Sequence, residues 1–91
     1  MSGYNGWTNW ETWNYKLWMD EQGDTNYMVE VIRENNLTVD QVSELLNQMA
    51  WERYEEISKV SGFFNDVASN ALQVVDFNDI AESIVESAQV A

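Results

Sequence analysis

From Leu37 onward the chain specifies a helix start through side chains alone. Thr38 and Gln41 form a capping box, in which hydroxyl and amide satisfy backbone N–H groups that the first turn of a helix leaves unpaired, while Leu37 and Val42 occupy the two positions of a hydrophobic staple. Val42, Leu45, Leu46, Met49, Ile57 and Val60 then follow at helical spacing toward Gly62. The same grammar recurs on either side. Thr8 with Glu11 makes a second capping box, which predicts a helix from about Asn9 to Glu21. An Asp24 or Thr25 cap precedes a shorter helix that buries Met28, Val31 and Ile32 and ends at Asn35-Asn36. Phe63, Phe64, Val67, Ala68, Ala71, Leu72 and Val75 are apolar over a wide arc, the pattern of a largely buried helix. Asp76 caps a last helix, with Val75 and Ile80 as a staple and Phe77, Ile80, Ala81, Ile84, Val85 and Ala88 in one stripe.

No stretch alternates with strand period, and proline is absent. The prediction is therefore an all-α fold, a compact bundle of four to five short helices with no sheet. One domain covers 1–91, with an N-terminal arm at 1–7 and helices near 9–21, 26–35, 39–60, 63–75 and 77–89. A domain this small buries only about 60% of its unfolded surface. With neither cysteine nor histidine in the chain, disulfides, thiolate metal sites and imidazole chemistry are excluded, so cohesion must come from packing. A hydrophobic share of 45% and an aromatic share of 13% supply that core and separate the chain from a disordered acidic tail.

The usual catalytic devices are missing. No histidine stands ready to activate a serine or threonine, and there is neither a nucleophile elbow nor a glycine-rich phosphate loop. Paired carboxylates could in principle run a glycosidase-type reaction, but 16 acidic residues in so short a chain bring some together by chance. Asp20, Gln22, Asp24 and Asn26 alternate like the start of a calcium loop, yet Thr25 stands where the turn glycine belongs and Val31 where the closing glutamate belongs. Asn36-Leu37-Thr38 matches a glycosylation acceptor without a secretory signal to give it meaning. The expectation is a cytoplasmic protein that is not an enzyme and takes no cofactor and no metal.

Charge and aromatic residues carry the remaining information. Four Lys and Arg against 16 Asp and Glu leave a net charge of −12, which opposes direct binding to nucleic acid or an anionic membrane and favours a basic partner. Trp7, Trp10, Trp13 and Trp18 crowd the first helix; Trp10, Trp13 and Leu17 share one face, with Tyr15 and Met19 nearly opposite. Such a helix is either covered by neighbours on both sides, with Trp10, Trp13 and Leu17 in the core, or keeps one side for a partner. Trp51 projects off the apolar stripe beside Tyr54 and Glu55, where it is either a binding aromatic or covered by another helix. Arg53 falls inside that stripe, where it snorkels or pairs with Glu52 or Glu56. Two acidic stripes complete the surface, Glu52, Glu55 and Glu56 on the third helix and Asp79, Glu82 and Glu86 on the last. Each is a solvated face or an imitation of a phosphate backbone.

The stretch Asn5-Gly6-Trp7-Thr8-Asn9-Trp10-Glu11-Thr12-Trp13, followed by Leu17-Trp18, resembles the opening of a family of small uncharacterised proteins from bacteriophages, including cyanophages, and from bacterial plasmids. Gly62-Phe63-Phe64 through Ala71-Leu72 to Phe77-Asn78-Asp79-Ile80-Ala81-Glu82 resembles the same family's ending, with Phe77 at a position where many members are expected to carry tryptophan. The resemblance carries over no catalytic or binding residue. It implies a context, in which small acidic proteins of mobile elements often inhibit host defence or transcription, some by imitating DNA. The functional expectation is thus a non-enzymatic protein that binds a basic host protein, either a nucleic-acid-binding or a defence factor, through Trp51, Tyr54, Glu52, Glu55, Glu56, Asp79, Glu82 and Glu86. It contacts neither nucleic acid nor membrane directly. The alternative is a structural or regulatory accessory protein that self-associates through its Trp-rich first helix.

Overall fold

The structure, a computed structural model, describes residues 3–57 and 62–89. It contains five helices, α1 (Trp10–Gln22), α2 (Asp24–Asn35), α3 (Val39–Ile57), α4 (Phe63–Val74) and α5 (Phe77–Gln89), and no strand or sheet among the described residues. The all-α prediction holds. The part of the third predicted helix at 58–60, with Val60 and the Ile57 side chain, lies outside what is described.

The last helix organises the core. Phe77, Ile80, Ala81, Ile84, Val85 and Ala88 are all buried, as their spacing predicts, and α5 packs chiefly on α3 and then on α2. From α3 come Val42, Leu46 and Ala50; from α2, Met28 and Ile32; from α1, Met19. Asp76 caps α5 as expected, its Oδ1 accepting the Asp79 N–H at 3.2 Å. The Thr38 box also forms, with the Thr38 N–H donating to Gln41 Oε1 at 2.9 Å and the Gln41 N–H donating to Thr38 Oγ1 at 3.3 Å. Where α1 meets α2, Gly23 takes φ 83°, its N–H donating to the Met19 carbonyl, so one residue ends the first helix and begins the second. The predicted Asp24 or Thr25 cap is therefore not used: α2 begins at Asp24 behind Gly23, and the Thr25 hydroxyl donates to Asp20 at 2.6 Å instead. Val31 is half-buried rather than buried.

Two larger expectations are also overturned. The first is the Thr8 cap and with it the face that α1 buries. Asn9, extended at φ −157°, caps α1 by accepting the Thr12 N–H at 2.9 Å. Thr8 is drawn elsewhere: its N–H donates to Asp79 Oδ2 at 2.9 Å and its hydroxyl to Asp76 Oδ2 at 2.7 Å. Thr12 is fully buried, its hydroxyl donating to Asn9 Oδ1 at 2.6 Å and accepting the Asp76 N–H at 2.8 Å. That pair of bonds turns Thr12, and with it Tyr15 and Met19, toward the core. Trp10, Trp13 and Leu17, predicted to be core, consequently sit on the other side: Trp10 is 48% and Leu17 38% exposed, and Trp13 is half-buried against the Tyr4 ring at 5.0 Å.

The second is α4. Its wide apolar arc predicts burial, yet none of its residues is buried, and Phe63 and Phe64 are 73% and 83% exposed. It packs mainly along the edges of α1 and α3 and reaches the core through the half-buried Leu72, because α5 with α2 and α3 already fills most of the core.

Candidate functional site

The candidate residues fall on separate surfaces. At about 100° per residue, Glu52, Glu55 and Glu56 lie on the side of α3 away from Val42, Leu46 and Ala50, and all three are exposed. Asp79, Glu82 and Glu86 lie opposite the buried stripe of α5. Because α3 and α5 pack through their buried faces, the two acidic stripes face away from one another. Trp51 and Tyr54 are half-buried and stack edge to face at 5.5 Å, so the structure gathers them as one aromatic unit beside the α3 acids. The Tyr54 hydroxyl is occupied, donating to the Asn65 side-chain and backbone oxygens and tying α3 to α4. Asp79 is also committed, since it accepts from Thr8; Glu82 and Glu86 are exposed.

The α5 stripe borders a shallow hollow of about 380 Å³, closed on its other side by Asn5, Gly6 and Trp7 of the arm. The arm reaches it through a tight turn: Tyr4 and Trp7 exchange backbone hydrogen bonds at 2.7 and 2.8 Å, with positive φ at both Asn5 (48°) and Gly6 (87°). A type I′ turn requires that pair of angles, and Asn-Gly supplies it. The Asn5-Gly6 dipeptide is itself the sequence signal for this turn, which the prediction of a plain N-terminal arm leaves out.

A second concavity, of about 270 Å³, is walled by Trp10, Tyr15 and Trp18 of α1 and by Ala68, Ala71 and Leu72 of α4, with Ala50 and Tyr54 of α3 behind them. Its lining is almost wholly apolar apart from Glu11, Asn14 and Arg53. Arg53 pairs with Asp24 at 3.3 Å, and not with Glu52 or Glu56, because α2 brings a carboxylate to the guanidinium across the helix pair. Burial pushes the Tyr15 phenol above its usual value, Asp24 adding to the shift and Arg53 opposing it. Burial would also raise Asp20, but hydrogen bonds from Lys16 and Thr25 outweigh it and hold the carboxyl below its usual value.

Among the described residues no group of three or more Asp or Glu is placed to hold a metal ion, and no helix is long and apolar enough to cross a membrane. A family model described as a family of unknown function (DUF7249) matches residues 1–90. The chain belongs to that family. No curated protein and no solved structure matches it. In this DUF7249 chain, Thr8, Asn9 and Thr12 hold the fold together at one end. Asn9 Nδ2 donates to the Val74 carbonyl at 2.7 Å while Thr8 and Thr12 bond Asp76, so three residues knit the start of α1 to the end of α4 and the start of α5.

Proposed function

We propose that this chain is a non-enzymatic, phage-type acidic protein that binds and modulates or inhibits a host protein with a basic surface, a nucleic-acid-binding or defence factor, by presenting carboxylates where DNA presents phosphates. The supporting observation is the outer face of α3. Glu52, Glu55 and Glu56 are exposed beside the half-buried Trp51, and the ion pairs among the described residues, Lys16–Asp20 and Arg53–Asp24, engage other carboxylates. Like charges three and four residues apart on one helix are mildly destabilising, so nothing in the packing of the described residues asks for them. A basic groove does, and the large aromatic at its edge supplies the apolar anchor that slows dissociation.

On this reading the protein works in the host cytoplasm, without cofactor and without touching nucleic acid or membrane itself. The test is recovery of host proteins on a tagged copy, with duplex DNA added as competitor. Specific capture that DNA displaces and that Glu52→Lys, Glu55→Lys and Glu56→Lys together abolish is the expected result. Capture that ignores both would rule the reading out. A second reading, a regulatory or structural accessory protein that self-associates through α1, is favoured by the 48% and 55% exposure of Trp10 and Trp18.

A further inference from the structure

The helix α4 carries one wide apolar arc, half-buried along one edge and exposed along the other. Ala68, Ala71 and Leu72 face the cleft toward α1 and α3, while Phe63, Phe64, Val67 and Val74 stand in solvent at 73, 83, 48 and 48% exposure. An apolar arc that spans about half of a helix asks for cover along its whole width, and a small monomer rarely exposes so continuous an apolar surface. The cleft carries this surface on to Trp10 and Trp18 across the gap, so α4 and the adjoining edge of α1 form one apolar face.

Charge identifies what covers it. The molecule has a net charge of −12, yet across Phe63–Val74 the only charged residue is Asp66. A basic partner would be met by carboxylates around an apolar anchor, which this chain places on the outer faces of α3 and α5 and withholds from α4. Two copies of a molecule this acidic repel one another everywhere except where the acids have been left out. Charge depletion with aromatic enrichment is also the composition of a subunit interface core.

We infer that α4 is the self-association surface of this protein, the α4 and Trp10–Trp18 edge of one copy covering the same surface of a second in a two-fold pair. The inference rests on the self-association reading, moves its centre from α1 to α4, and stands apart from the acidic-surface reading. The partner copy then buries the phenylalanines that α4 exposes. Salt tightens the pair by screening the repulsion between two acidic bodies, opposite in sign to the binding of a basic partner.

Sedimentation equilibrium of the full chain, repeated over a range of salt, tests this. The wild type should be dimeric at micromolar concentrations and more so at high salt. Phe64→Asp and, separately, Val67→Asp should each weaken the dimer at least about tenfold, with helical circular dichroism retained because both side chains are exposed in the monomer. Phe64→Ser replaces either variant if it loses helicity, with the same expected dissociation. The triple reversal of Glu52, Glu55 and Glu56 to lysine should leave an α4 dimer. A wild type that stays monomeric at all concentrations overturns both this inference and the self-association reading. A dimer that survives the α4 substitutions but dissociates on Trp18→Ser keeps self-association through α1 and overturns the assignment to α4.

Discussion

Thr12 is where a single side chain decides most. Its hydroxyl serves Asn9 and Asp76 at once, and no water can replace it at a site with no exposed surface. Thr12→Val keeps the shape and removes both bonds, so denaturant unfolding should show a loss of about 1–3 kcal/mol, while Thr12→Ser should recover most of it. Wild-type stability in Thr12→Val would mean that the rotation of α1 is set elsewhere. Aromatic residues divide by the same face. Phe77 is buried and meets Tyr15 edge on at 5.2 Å, so Phe77→Ala should cost about 3–5 kcal/mol, whereas Trp13→Ala, at a half-buried position, should cost clearly less. Equal losses would return Trp13 to the core. Tyr15 gives a pH signature. Its folded-state pKa lies above the ordinary 10.0, so the stability it contributes is complete below that value and is lost as pH rises through the folded value. Unfolding measured above about pH 10 should therefore show a decline that Tyr15→Phe reduces.

At the scale of elements, local signals are legible in the sequence and rotational choices are not. The Thr38–Gln41 box, the Asp76 cap and the α5 stripe depend on residues three or four apart, which the sequence displays directly. The face of α1 depends on Asp76, 64 residues away from Thr12, and a helix with apolar residues on two sides offers no local vote between them. For α4 the apolar arc is a demand for cover, but periodicity does not say who provides the cover. Of the candidate site, the α3 acids and Trp51 lie where their spacing puts them. The cleft between α1 and α4 is invisible in the sequence because it is made by residues from three helices. The α1–α2 junction offers an element-scale prediction: a Cβ at Gly23 meets nothing within 4 Å, so Gly23→Ala is opposed by its φ of 83° alone. Thermal unfolding should register about 1 kcal/mol of destabilisation, and Gly23→Asn less, since asparagine tolerates that conformation. No change in Gly23→Ala would show that the junction adapts its backbone.

For the whole molecule the pattern is a division of surface. Acidic residues occupy the outer faces of α3 and α5, an apolar arc runs along α4 and the neighbouring edge of α1, and the arm's Asn5-Gly6 turn places Trp7 across a hollow from the α5 acids. One protein can use the two kinds of face at once, an apolar one for its own copy and an acidic one for a basic target. Binding through the acidic face is the central claim. The salt dependence of Kd for the captured host partner tests it most directly, measured with the wild type, with Glu52, Glu55 and Glu56 reversed to lysine, and with Asp79, Glu82 and Glu86 reversed as the control for total charge. Exposed charge changes away from caps alter stability by less than about 0.5 kcal/mol, which leaves folding intact in the α3 variant; because Asp79 also bonds Thr8, the control's helicity must be checked alongside. The wild type should lose affinity steeply as salt rises, and the α3 reversal should bind more weakly with a flatter salt response. Affinity and salt response unchanged by both reversals would contradict the acidic-surface function.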